Sequence, residues 1–182
     1  MKTATCLALL VSLGLLTACE SKPFAGAYVY PNDRYLEENV ARWNSMINTI
    51  NAWNDSPLAD EFHAAIESGD DLSKFHFRLN LVHDSAVKSR IDAERLAHRK
   101  EADDLHQHLL TSLQSTADMF SIMVNLADLP KGYTAEQATS LLTRLEHATE
   151  RMDTDLQILS DAQDSFAKSE KIRLTTRDHA RP

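Results

Sequence analysis

Glycine and proline are confined to a few places in this chain, and that confinement most limits what it can fold into. Of 182 residues, four are glycine (Gly14, Gly26, Gly69, Gly132) and five are proline (Pro23, Pro31, Pro57, Pro130, Pro182). Beyond the first two dozen residues, each falls where a helical apolar period stops or restarts, as expected of residues that interrupt helices. No stretch alternates polar and apolar side chains over several strands. The expected class is all-α, an antiparallel helical bundle with a domain over residues 33–174.

The period also places the helices. Leu36, Val40, Trp43, Ile47 and Ile50 form one seam of a first helix, capped by Asn32 or Asp33 and ending near Asn54. Ser56-Pro57 reads as a cap followed by proline at the first helical position, opening a short helix that Gly69 closes. From Asp71 to Leu129 there is neither glycine nor proline, so this run is expected to be one long central helix, roughly 90 Å if straight. The alternative is a break near residues 83–89 that folds the run into a compact four-helix bundle.

Apolar positions lie at both ends of that run: Leu72, Phe75, Leu79, Val82 and Ala86, then Leu105, Leu109, Leu113, Ala117, Phe120, Val124 and Ala127. Its middle, residues 88–104, alternates charge. Lys88–Asp92, Arg90–Glu94, Arg99–Asp103 and Lys100–Asp104 are spaced as i,i+4 pairs, a pattern that suits a solvated helix. Thr134 and Gln137 then match a capping box that opens a last helix, about 135–174. Its inward positions are Leu141, Leu145, Ala148, Met152, Leu156, Leu159 and Phe166. Residues 175–182 are a polar tail.

The leading segment has another character. Lys2 is followed by an apolar run from Ala4 to Leu16, too short to span a bilayer comfortably and of a length that fits a secretory signal. The four residues after it, Leu16-Thr17-Ala18-Cys19, resemble the lipobox of bacterial lipoproteins. The resemblance implies cleavage between Ala18 and Cys19, a diacylglyceryl group on the Cys19 sulfur and a further acyl chain, such as palmitate, on the freed amine. One chain holds only marginally; two or three on one residue give a lasting anchor. In enteric bacteria an aspartate after the cysteine retains such proteins at the inner membrane. Glu20 stands there instead, so the expected location is the outer membrane facing the periplasm, with residues 19–32 as a lipidated tether.

Composition then narrows the function. The chain carries a net charge of −8 at pH 7, which opposes nucleic-acid binding. The lipobox resemblance implies that Cys6 leaves with the signal and Cys19 carries lipid, so no disulfide, thiol catalysis or cysteine-based zinc site is expected. There is no G-x-S-x-G element or glycine-rich phosphate loop. The eight histidines invite a metal reading. Glu101, Asp104 and His108 share a face, Glu94 and His98 are one turn apart, and Asp103 and His106 have the i,i+3 spacing of a bundle di-metal element. That element has no second copy, and the histidines are expected on a solvated surface. No cofactor, metal or enzymatic activity is expected.

Half of the chain's aromatic residues lie between Phe24 and Trp53. Phe24, Tyr28 and Tyr30 could contact the membrane interface or a partner; alternatively the segment drapes over the bundle and Trp43 joins the core. The function expected is that of a lipid-anchored envelope protein that binds another, unidentified envelope protein as an accessory or assembly factor. The alternative is an immunity-type lipoprotein that neutralises a toxin, its acidic surface suiting a basic target. A metal-binding bundle ranks third.

Overall fold

In the computed structural model, which describes residues 29–173, those residues form five α-helices and no strand. They are α1 (Asn32–Asn54), α2 (Pro57–Ser68), α3 (His76–Glu94), α4 (Asp103–Ala127) and α5 (Ala135–Ser169), with single 3-10 turns at Ser73–Phe75 and Lys100–Ala102. The expectations for Ala18, Cys19, Phe24, Tyr28 and the tail lie outside the described residues.

Local chemistry sets most boundaries. Ser56 Oγ accepts from the Ala59 N–H at 3.3 Å, and Pro57 follows at the first helical position. Gly69 ends α2 in the left-handed region (φ 71°), which lets the Asp70 N–H reach the Ala65 carbonyl at 2.9 Å. The expected capping box is complete: Thr134 Oγ1 accepts from the Gln137 N–H, and Gln137 Oε1 accepts from the Thr134 N–H. The start of α1 is a correction. Neither Asn32 nor Asp33 caps it; Pro31 precedes the helix, and its carbonyl accepts from the Tyr35 N–H at 2.8 Å. Asn32 Nδ2 instead donates to Glu170 Oε2 at 2.9 Å, tying the start of α1 to the end of α5.

The second correction is the central run. It is not one helix: it stops at Glu94, passes through extended backbone at Arg99 (ψ 161°) and restarts as α4. The turn lies C-terminal to residues 83–89. Lys88–Asp92 and Arg90–Glu94 form as spaced, but Asp103 and Asp104 turn instead to His98 (3.2 Å) and His108 (3.6 Å). Surface i,i+4 pairs contribute only a few tenths of a kcal/mol each. Folding the run back buries the apolar faces of both halves against one another, and Ala93, Leu96 and Ala102 are buried at the turn itself. Burial wins by a wide margin, since each large apolar side chain contributes about 1.5–3 kcal/mol.

The result is a four-helix arrangement of α1, α3, α4 and α5. Helix α4 packs most extensively against α5 and α3, and α1 closes the remaining side. All five apolar positions expected at the start of the central run are buried, as are six of the seven in α4, with Val124 half-buried. In α5, Met152, Leu159 and Phe166 are buried while Leu141, Leu145, Ala148 and Leu156 are half-buried against the core. In α1 the seam is rotated: Leu36 and Ile50 are buried, Val40, Trp43 and Ile47 only half so, and Tyr35, Asn39, Met46 and Trp53 complete the buried stripe.

The start of α1, the α3–α4 turn and the end of α5 share one end of the bundle. The Tyr30 N–H donates to the Ala97 carbonyl (3.3 Å), and Asn32 bonds Glu170. This is the proximal end of the bundle. Phe120 is fully buried in α4, so truncating it removes apolar contacts and leaves a cavity. Phe120→Ala is expected to lower the unfolding free energy by about 3–5 kcal/mol, read by urea denaturation against the exposed control Thr154→Ala.

Candidate functional site

Two features stand out above the packing: a chain of buried polar side chains near the proximal end, and an open groove on the outer surface. The polar chain begins on α5. Gln163 Nε2 donates to Asn39 Oδ1 at 2.8 Å, Asn39 Nδ2 lies 3.4 Å from Tyr35 Oη, and Tyr35 Oη lies 2.9 Å from His106 Nδ1. All four residues are buried. If each donor donates once along this line, the Tyr35 hydroxyl gives its proton to His106 Nδ1, which puts the neutral ring's own proton on Nε2.

The His106 ring stacks on His98, with centroids 4.1 Å apart and planes at 25°. His98 Nδ1 donates to the Leu96 carbonyl at 2.9 Å, and its Nε2 faces Asp103 Oδ1 at 3.2 Å. Side chains from α1, α4, α5 and the α3–α4 turn thus meet in one continuous set. Burial, with the neighbouring His98, pulls the His106 pKa below the ordinary histidine value, against smaller opposing pulls from Asp103 and Glu94. Burial pushes the Tyr35 phenol up to about 12, with the Asn39 hydrogen bond and Arg42 opposing it. Both groups therefore stay neutral near pH 7, as an enclosed hydrogen-bonded chain requires.

His106 corrects the expectation that the histidines sit on a solvated surface. Its side chain takes a core position because Tyr35 supplies the partner that a buried imidazole needs. The sequence signal was weak: in the pattern Leu105-His106 followed by Leu109 and Leu113, His106 occupies the flank of an apolar stripe. The other residues weighed for metal do not converge. His108 faces Asp104 at 3.6 Å, Glu101 is exposed, and Asp103 points to His98 rather than to His106. Among the described residues, no group of three or more His, Cys, Asp or Glu side chains could hold a metal ion. Tyr30 is half-buried and packs against the core.

The groove lies between α1 and α3 and encloses about 600 Å³. Ala41, Ser45, Asn48 and Ala52 recur along one face of α1 and form one wall; Leu81 and Ser85 belong to the α3 wall. Arg78 is its single charged lining residue, in a chain where a quarter of all residues are charged. Next to it, α3 presents apolar side chains away from the core: Phe77 is 75% exposed, Leu81 46% and Ile91 38%. Scattered exposed apolar residues are ordinary; these three recur on one face of the helix. Among the described residues, no helix is long and apolar enough to cross a membrane.

The polar chain yields two expectations. Tyr35→Phe leaves the Asn39 amide and the His106 ring without their buried partner and should destabilise the fold by about 1–3 kcal/mol. The second concerns pH. The unfolded His106 takes up a proton near its ordinary pKa while the folded residue resists, so the unfolded state binds more protons as pH falls below about 6.5. Folding stability tied to His106 is therefore present at pH 7 and is lost progressively toward pH 5. His106→Gln, which retains an acceptor for Tyr35, should show a shallower loss between these pH values in parallel urea titrations. No family model, curated protein or solved structure matches this chain.

Proposed function

We propose that this chain is a lipid-anchored envelope protein that binds another envelope protein, as an accessory or assembly factor, with Cys19 carrying the lipid. The observation that carries the binding half of this reading is the α1–α3 groove, a nearly uncharged cleft on an otherwise charged helical surface. A neutral, concave surface lined by small residues on one helix and by Leu81 and Arg78 on the other suits an amphipathic helix, whose apolar side enters the groove and whose carboxylate meets Arg78. The mooring half rests on the leader and on the proximal end, where the tether residues join the start of α1 beside the α3–α4 turn.

Deletion and complementation test both halves. Loss of the gene should cause an envelope or secretion defect in pure culture, and the wild-type gene should repair it. Cys19→Ala should fold normally, leave the membrane fraction and fail to complement. Asn48→Arg, which fills the groove from an exposed position on α1, should stay in the membrane fraction and also fail. A defect seen only beside toxin-armed kin would transfer the chain to the immunity class. Full complementation by both variants would overturn the reading.

A further inference from the structure

Helix α3 carries a second stripe, opposite the one it gives to the core. Its buried side holds Leu79, Val82, Ala86 and Ala93. On the opposite side Phe77, Leu81, Asp84, Lys88 and Ile91, continued by Arg95 at the helix C-cap, follow one another at alternating steps of four and three, which aligns them along one face. All six are exposed. Laid against its own reverse, each position meets a complement: aromatic against guanidinium (Phe77, Arg95), branched apolar against branched apolar (Leu81, Ile91), and acid against base (Asp84, Lys88).

We propose that this face pairs with the same face of a second copy of the chain, antiparallel about a two-fold axis that runs between the two helices at the level of position 86. In that register Leu81 packs on the partner's Ile91, Asp84 meets the partner's Lys88, and Phe77 lies under the partner's Arg95. Each contact occurs twice, as an isologous interface requires. The next register, centred on Asp84, would still set Phe77 against the partner's Ile91, but it brings the two Asp84 carboxylates together and leaves Leu81 beside the partner's Lys88, so like-charge repulsion disfavours it. A stripe shaped for an unrelated partner has no reason to match its own reverse; self-complementarity of charge is what assigns the occupant. The existing Lys88–Asp92 pair does not compete strongly, because an exposed intrahelical pair contributes little and the Lys88 ammonium has three donors. Because the axis stands perpendicular to the two helices, both α1–α3 grooves open on the same side of the dimer.

The test is sedimentation equilibrium of the full-length chain in density-matched detergent, at concentrations up to about 100 μM, the range a small interface demands. The wild type should reach the dimer mass. Asp84→Lys alone and Lys88→Asp alone should each weaken association about tenfold or more by placing like charges in contact. The double swap, Asp84→Lys with Lys88→Asp, should restore it, and so should an equimolar mixture of the two single variants. All these positions are exposed, so circular dichroism should be unchanged throughout. A wild type that stays monomeric overturns the proposal, as does a dimer indifferent to both single changes or one that the double swap fails to restore. None of these readouts depends on lipid or on an envelope phenotype.

Discussion

The enclosure of α4 governs the rest of the structure. This helix is buried on more than its apolar stripe: Ser112, Ser115, Thr116 and His106 are as enclosed as Leu109 and Leu113. A helix in that position needs neighbours on several sides, and the chain supplies them only if the segment before it folds back as α3 and the segment after it returns as α5. Each enclosed hydroxyl is satisfied by a carbonyl one turn back. Thr116 donates to the Ser112 carbonyl at 2.8 Å, and Ser115 to the same oxygen at 3.1 Å. Ser112 reaches both the His108 carbonyl (2.8 Å) and the Asp155 carbonyl of α5 (2.9 Å). Small hydroxyl residues therefore let α5 come close without orphaning a polar group.

Apolar burial alone leaves the sliding of one helix along another weakly determined. The set Gln163–Asn39–Tyr35–His106 removes that freedom, because its members lie on three different helices and each hydrogen bond demands one axial position. A shift of α1 by one turn would leave four buried polar side chains unpaired at about 1–3 kcal/mol each. Such networks are costly when incomplete and selective when complete. This one sits at the proximal end, where α1 enters beside the α3–α4 turn.

The class, the helix count outside the central run, and the caps at Ser56, Gly69 and Thr134 were legible because each rests on local chemistry. The same holds for most core positions in α3, α4 and α5, where the period is clean. What local signals could not reveal was long-range. The turn after Glu94 contains no glycine or proline, and its charged flanks look like a solvated helix; only the fit between two apolar faces far apart in sequence demands the break. Likewise Asn39, Tyr35, His106 and Gln163 read individually as surface or flank residues, and become core residues only through partners as distant as Asn39 and Gln163. The outer stripe of α3 was visible as residues but not as a face, since the core face it opposes had first to be located.

That opposition explains why α3 has almost no amphipathic contrast although it is packed on one side: apolar residues face both the core and the surface. A helix built only to cover α4 would place charged or amide residues at positions 77, 81 and 91, and nothing in the packing of the bundle asks for Phe77, Leu81 or Ile91 there. The antiparallel pairing proposed above gives these three side chains a packing role that the single bundle does not. The proposed pair has a further geometric consequence. It sends the two proximal ends in opposite directions, so, with the lipid proposed on Cys19, the paired bundles would lie along a membrane instead of standing on it.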